Sequence, residues 1–135
     1  MKIFDCFMYF DEEMILDLRL NTLDKDIDYF VIVESIFNHK GERRNLKFNV
    51  KRFEKFKDKI IYLTYEERPK KIEEIFESDS DEEKSRKYIF NAVYRENGQR
   101  NFLSNGLNKA ENEDLILISD VDEIPNIRNL DLSKI

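Results

Sequence analysis

Residues 29–34 read Tyr-Phe-Val-Ile-Val-Glu, an apolar run that ends at a carboxylate. An unbroken apolar run of this length between polar residues is typical of a strand that is buried on both faces, as in parallel sheets covered by helices. Runs with similar composition occupy residues 2–10, 59–65 and 115–118. Together they predict four strands of one sheet.

The segments between these runs favour helices and loops. We expect Asp11 to cap a helix after the first strand, because a short polar side chain can accept a hydrogen bond from the free amides of the first turn. The apolar stripe of this helix consists of Leu16, Leu20, Leu23 and Ile27. Residues 35–49 are predicted to form a loop, and a short helix with a basic face is expected near residues 50–56.

A longer helix is predicted from residue 85 to residue 110, with a break at Gly98 because glycine weakens a helix interior. Its apolar positions are Ile89, Val93, Leu103 and Leu107. Residues 77–87 are almost entirely polar and charged and are expected to form a solvated loop before it. The alternation of strands and helices predicts an α/β fold with a mainly parallel sheet, right-handed crossovers and helices on both faces.

Length and composition exclude several other classes. The 135 residues fit a single domain. With 29 acidic against 23 basic residues and a net charge of -6, the chain would repel a nucleic-acid backbone. The single cysteine, Cys6, excludes an internal disulfide and predicts a buried thiol. The apolar runs are far shorter than the about 20 residues that span a bilayer. We therefore expect a soluble, cytoplasmic protein with no membrane span.

The strongest chemical signal is the stretch at residues 119–123, Ser-Asp-Val-Asp-Glu, which directly follows the fourth strand. In an open parallel sheet, ligands gather at the carboxyl ends of the strands. Asp120 and Asp122 can therefore direct two carboxylates toward one cation, and such oxygen ligands suit Mg²⁺ or Mn²⁺. The alternative is that Asp120 only caps the following turn and that the other acidic side chains are merely exposed.

Three metal-linked interpretations compete for this Asp-x-Asp pattern. A calcium loop of the EF-hand type fails, because it requires an acidic or amide group followed by glycine where this chain has Ile124 and Pro125. Phosphatases of the haloacid dehalogenase type also place Asp-x-Asp after an apolar strand, with the first aspartate as nucleophile, but on the first strand of their domain. Nucleotide-sugar transferases carry the pattern after several strand-helix units, which is the order found here.

Several ordered blocks of sequence make the third interpretation more specific. The blocks are residues 5–10 with Glu12 or Glu13 and Arg19-Leu20; residues 31–35 with His39 and Gly41; Glu96 with Gln99-Arg100-Asn101; and residues 115–125, LILISDVDEIP. In these blocks the chain resembles glycosyltransferase family 17, the group related to β-1,4-mannosyl-glycoprotein 4-β-N-acetylglucosaminyltransferase. The resemblance extends over nearly the whole chain.

This resemblance implies a GT-A type fold, which is a Rossmann-like architecture that binds nucleotide sugars. It also implies transfer of a sugar, N-acetylglucosamine in N-glycan processing, from a UDP donor to a glycan acceptor, with Mn²⁺ or Mg²⁺ as cofactor. The metal candidates are Asp120, Asp122 and Glu123. Among them, Asp122 is expected to bind the metal directly, Asp120 to bind the ribose or a metal-bound water, and Glu123 to position the loop or another water.

Four further residues are implied near the donor. Glu34 would accept a hydrogen bond from the ribose or the base, with pairing to a loop amide or a lysine as the alternative. Arg100 would contact the diphosphate, unless it forms a surface ion pair. His39 and Gly41 would shape the loop beside the donor.

No residue of the sequence is a convincing catalytic base. The family layout implies a base beyond the Asp-x-Asp pattern, so we expect residues 1–135 to form the N-terminal, nucleotide-sugar-binding part of a longer glycosyltransferase domain, with the base beyond Ile135. Two other functions stay open at this point. They are a nucleotide-sugar-binding or interaction domain that lacks catalysis, and an aspartate-dependent phosphatase.

Overall fold

The computed structural model describes residues 1–135 and contains one four-stranded sheet with helices on both sides. The strands are β1 (Ile3–Tyr9), β2 (Tyr29–Ser35), β3 (Ile60–Tyr65) and β4 (Leu115–Ile118), and they lie in the order β3-β2-β1-β4. All three neighbouring pairs are parallel. The predicted α/β class and the four strands are therefore confirmed, and the architecture is consistent with a Rossmann-like GT-A fold.

The two α-helices are α1 (Glu13–Leu23) and α2 (Asp81–Phe102). Short 3₁₀ segments occupy Val50–Phe56, Leu103–Gly106, Ile127–Asn129 and Leu132–Lys134. The predicted stripe of α1 is confirmed, because Leu16, Leu20 and Leu23 are buried, and Ile27 just beyond the helix is buried as well. The short helix near residues 50–56 is also confirmed as a 3₁₀ segment that buries Phe53 and Phe56.

The sheet separates two apolar cores. Alternate β1 side chains point to opposite faces, so that Phe7 packs with α1 and the 3₁₀ segment while Cys6 packs on the other face with Leu103. The cluster on the α1 side contains 13 buried residues and the opposite cluster contains 6. β2 is a central strand and is buried on both faces, as expected from its apolar sequence.

The structure corrects the expected start of α1. Asp11 does not cap the helix. The N-cap position is Glu12, which makes no capping hydrogen bond. Its carboxylate instead turns back and accepts hydrogen bonds from the amides of Phe10 and Asp11 at 3.0 and 3.2 Å. The Glu12 side chain thus stabilises the turn before α1 rather than the helix itself.

The long helix also differs from the prediction. It begins at Asp81, where Ser80 Oγ accepts from the amide of Glu83, so part of the charged segment expected as a loop is helical. Its first turn carries three acidic residues, which the helix dipole favours. The helix also runs without a break through Gly98. A Cβ built there would lie 2.3 Å from the Tyr65 hydroxyl oxygen, so glycine serves close packing of α2 against β3.

The apolar residues in the first half of α2 do not face the core as expected. Ile89 and Val93 are exposed, whereas the buried positions are Lys87 and Asn91. Asn91 exchanges two hydrogen bonds with the backbone of Glu73, and Lys87 forms an ion pair with Asp79 at 2.8 Å. Polar contacts to the segment before α2 therefore determine which face of the first half of α2 is buried.

Candidate active site

A cleft of about 340 Å³ lies at the carboxyl ends of β1 and β4. The chain builds the sheet outward from β1 to β3 and then returns to place β4 on the other side of β1, so β1 and β4 flank the point where the strand order reverses. Ligands of open α/β sheets bind at such points. The cleft is lined by Met8, Tyr9, Phe10, Glu12, His39, Glu96, Gln99, Asp120 and Val121.

The turn after β4 is held in place by a buried arginine on α1. Arg19 is fully buried and forms an ion pair with Asp5, which is also fully buried, at 2.6 Å. Its Nη1 donates to the carbonyl oxygens of Asp120, Val121 and Glu123 at 2.6, 3.1 and 3.2 Å. One guanidinium group therefore satisfies three carbonyls of the turn that carries the Asp-x-Asp pattern.

The sequence indicates Arg19 only through the family resemblance, which implies no role for it. A signal was present, since Arg19 falls between Leu16 and Leu20 on the apolar stripe of α1, and Asp5 interrupts the apolar run of β1. Charged residues are seldom fully buried unless they are paired. A cation and an anion at core positions of adjacent elements therefore indicate a buried ion pair.

Asp120 lines the cleft, and Arg100 of α2 contacts it from just outside the lining. Arg100 on α2 places Nη2 2.9 Å from Glu96 Oε1 and 3.5 Å from Asp120 Oδ1. The side chains of Arg100 and Asp120 stay 39% and 53% exposed. Both are thus accessible to a ligand, and their mutual contact is the looser of the two ion pairs.

The three metal candidates do not form a ready metal centre, because no group of three or more His, Cys, Asp or Glu side chains is placed to hold an ion. Glu123 Oε1 accepts from the amide of Asp120 at 3.0 Å and so closes the turn. The Asp122 side chain is exposed. Magnesium usually binds proteins through one or two carboxylates together with substrate phosphates and waters. The donor set fits a cation shared with a phosphate ligand, rather than one caged by protein.

The carboxylate of Glu34 is surrounded by donors from the protein itself. Its carboxylate is fully buried and lies 2.9 Å from the Arg44 guanidinium. It also accepts hydrogen bonds from the amides of Lys47 and Phe48 at 2.7 and 3.1 Å and from the Tyr62 hydroxyl at 2.7 Å. Since these donors occupy the carboxylate, Glu34 anchors the loop after β2, which is the alternative left open by the sequence, and does not present an acceptor to the cleft.

Arg44, which pairs with Glu34, also contacts an aromatic ring of the cleft. Arg44 places its guanidinium carbon 4.2 Å from the centre of the Phe10 ring. On the cleft, Phe10 and His39 have nearly parallel rings, with 6.4 Å between centroids and 19° between planes. Gly41, at φ 81°, lets the loop return close to Arg95. His39 therefore lies at the cleft, whereas Gly41 shapes the loop behind it.

Two groups near the site hold their protons tightly. Burial and the neighbouring carboxylates, chiefly Glu34, raise the pKa of the Tyr9 hydroxyl to about 12. Burial, with a smaller contribution from Asp5, raises the pKa of the Cys6 thiol to about 12. Cys6 is therefore a protonated core thiol, because a reactive cysteine needs a low pKa and an accessible thiolate.

No helix of the structure combines the length and the apolar character that crossing a membrane requires. No curated protein and no solved structure is significantly similar to the chain. The family description Glycosyltransferase family 17, in contrast, matches residues 1–135, which is the whole chain. This match agrees with the blocks in β1, β2, α2 and the turn after β4, and it displaces the phosphatase alternative. The chain therefore belongs to glycosyltransferase family 17 and is a glycosyltransferase.

Proposed function

We propose that the cleft binds a UDP-sugar, with N-acetylglucosamine as the sugar, together with Mn²⁺ or Mg²⁺, and that the sugar is transferred to a carbohydrate acceptor. The observation that carries the proposal is the position of Asp120, which lines a 340 Å³ cleft at the reversal of strand order. Family membership supports a sugar donor and a sugar acceptor. The metal, the nucleotide and the type of sugar are the proposed parts.

The charge of the cleft supports a requirement for a cation. Glu12, Glu96 and Asp120 line it, and no lysine or arginine does. A diphosphate entering this space would be repelled by the carboxylates unless a divalent cation lay between them. When bound, the cation would neutralise the negative charge that develops on the leaving diphosphate.

Within this proposal, the residues of the turn have separate tasks. Asp122 is exposed and would ligate the cation directly. Asp120 would hold the ribose or a metal-bound water, and Glu123 keeps the turn closed through the amide of Asp120. Arg100 lies beside Asp120 and would turn its planar guanidinium toward the diphosphate oxygens, a geometry that lysine does not supply.

Phe10 and His39 would hold the planar base of the nucleotide. Their rings are almost parallel at the wall of the cleft, and flat aromatic surfaces of this kind bind nucleobases by stacking, worth about 1–3 kcal/mol per base. Arg44 supports the Phe10 ring, and Glu34 fixes Arg44 from the buried side. The role of Glu34 toward the donor would thus be indirect.

The proposal is tested by thermal unfolding with UDP-N-acetylglucosamine, in the presence of Mn²⁺ and in the presence of a chelator. We expect the donor to raise Tm only with the metal, because ligand binding to the folded state stabilises it. Asp122→Ala should abolish the shift, whereas Asp58→Ala, an exposed aspartate just before β3 at the opposite edge of the sheet, should keep it. A shift that is independent of metal, or retained in Asp122→Ala, contradicts the proposal. Binding without turnover on carbohydrate acceptors would instead favour a domain that only binds the donor.

A further inference from the structure

A second, smaller cavity lies on the other side of the loop that carries His39. It has a volume of about 50 Å³ and opens at the carboxyl ends of β2 and β3. Its wall is formed by Ser35, Phe37, Gly41, Tyr65, Glu67, Arg68, Pro69, Ile72 and Arg95. Since one water needs at least about 10–15 Å³, the cavity has room for a small polyatomic ligand.

The arginines around this cavity differ from the others in the chain. Six of the nine arginines form ion pairs with carboxylates, namely Arg19, Arg44, Arg52, Arg86, Arg100 and Arg128. The three without such a pair all contact one loop. Arg43 pairs with Phe37 through the backbone, Arg68 covers the Phe37 ring at 5.1 Å, and Arg95 donates to the His39 carbonyl at 2.7 Å. Two of them, Arg68 and Arg95, line the cavity without a carboxylate partner.

Arg95 is fixed and its guanidinium retains free donors. Gly41 has a positive φ of 81° and no Cβ, and it packs directly against the Arg95 guanidinium. Nη1 donates to His39, while the remaining N–H groups have no protein acceptor within hydrogen-bonding distance. Burial and the nearby charge of Arg68 lower the pKa of Arg95. An anion between the two arginines would relieve this repulsion.

Glu67 also lines the cavity, and it forms no ion pair with Arg68 or Arg95. Its carboxylate reduces the positive charge of the cavity. Two arginines and one glutamate leave a net positive site. This site is separate from the cleft, whose lining shares none of its residues.

We propose that Arg68 and Arg95 form a binding site for a small oxyanion, outside the donor cleft. The planar fork of arginine suits the oxygens of phosphate, sulfate or carboxylate groups. Two sources share this chemistry. They are a free inorganic anion and an anionic group carried by the carbohydrate acceptor. The first source does not depend on the proposed transferase function, and the second does.

Isothermal titration with inorganic phosphate, at constant ionic strength set with chloride, tests the site directly. We expect saturable binding to the wild-type protein, at least tenfold weaker binding to Arg68→Gln and Arg95→Gln, and tighter binding to Glu67→Gln. Arg128→Gln, which alters an exposed arginine in an ion pair elsewhere, should bind as the wild type does. Arg68 is itself exposed, so its variant keeps the test valid even if loss of Arg95 disturbs the loop.

Absence of phosphate binding beyond the chloride control, or unchanged binding in Arg68→Gln, overturns the proposal. Displacement of phosphate by UDP with Mn²⁺ would also overturn it, since it would place the arginines in the donor site. A titration with glucose 6-phosphate distinguishes the two sources of the anion, and either result supports the site. If glucose 6-phosphate binds tenfold more tightly than phosphate does in the presence of free glucose, the ligand is an anionic carbohydrate. If the two bind equally, the ligand is the free ion.

Discussion

Arg19 on α1 and Asp5 on β1 form an ion pair with two contacts, Nη2 to Oδ1 at 2.6 Å and Nε to Oδ2 at 2.8 Å, and neither side chain is exposed. The pair leaves Nη1 directed at the carbonyls of the turn after β4. The interior of the fold and the edge of the cleft are therefore connected through a single side chain. The Phe7 ring adds to this support, with the guanidinium carbon 4.4 Å from its centre.

Replacement of one partner should strongly destabilise the protein. In Asp5→Asn, the buried guanidinium loses its counter-charge while the shape of the side chain is kept. We expect a loss of about 3–5 kcal/mol in the free energy of unfolding, the range typical of a broken buried pair. Urea denaturation followed by circular dichroism measures it.

The matched control for this variant is Glu13→Gln on α1, the helix that also carries Arg19. It breaks the pair between Glu13 and Arg52 of the 3₁₀ segment Val50–Phe56. Both of these side chains are largely exposed, and water screens their attraction, so we expect a much smaller loss of stability than in Asp5→Asn. Equal effects of the two variants would show that burial does not decide the strength of the Arg19–Asp5 pair.

Phe10 provides a test of base stacking that is separate from binding of the diphosphate. Phe10→Leu keeps an apolar side chain but removes the flat ring beside His39. With Mn²⁺ present, we expect UDP to bind about tenfold more weakly, from a lost stacking energy of about 1–2 kcal/mol. Inorganic pyrophosphate, which has no base, should bind equally to both proteins. Titration calorimetry compares the two ligands, and an equal loss for both would contradict stacking.

The sequence predicted the sheet well because burial on both faces leaves a direct pattern. Residues 30–33 are apolar since both faces of β2 are covered, and most of β1 is buried in the same way, whereas the edge strands β3 and β4 are apolar but only partly buried. The inward face of the first half of α2 could not be predicted in this way. Asn91 and Lys87 are buried through contacts to Glu73 and Asp79 in the irregular segment before the helix, and such pairing leaves no periodic signal.

In the candidate site, too, local sequence predicts some features and tertiary contacts determine others. The position of Asp120 at the end of a strand followed from local sequence, and the structure places it in the cleft. The environment of Glu34 depends instead on Arg44, Lys47 and Tyr62, which reach it from a loop and a neighbouring strand. A carboxylate at a strand end is therefore predictable as a position, whereas its partners are determined only by tertiary folding.

For Gly98 on α2, we expect replacement by alanine to destabilise the protein, although helix propensity alone predicts stabilisation. Alanine normally stabilises a helix interior by about 1 kcal/mol relative to glycine. Here the added Cβ would lie 2.3 Å from the Tyr65 hydroxyl oxygen. We therefore expect Gly98→Ala to destabilise the protein by about 1–3 kcal/mol, as overpacking does. Chemical denaturation measures the change.

A double variant identifies the contact responsible. Tyr65→Phe removes the hydroxyl group, so it should restore part of the stability lost in Gly98→Ala. Asn97→Ala, at the exposed neighbouring position of α2, should leave stability unchanged or raise it slightly. Stabilisation by Gly98→Ala alone would show that α2 does not approach β3 as closely as described.

The protonation of Cys6 can be measured by its reaction with iodoacetamide. The folded-state pKa of about 12 lies above the ordinary value of 9.0, so the thiol stays protonated at pH 8 in the folded protein and a larger fraction is ionised in the unfolded chain. Since the thiolate is the reactive form and Cys6 is also fully buried, we expect alkylation to be at least about a hundredfold slower in the native protein than in urea at the same pH. Mass spectrometry follows the reaction of this single cysteine, and similar rates in both states would contradict its placement in the core between the sheet and α2.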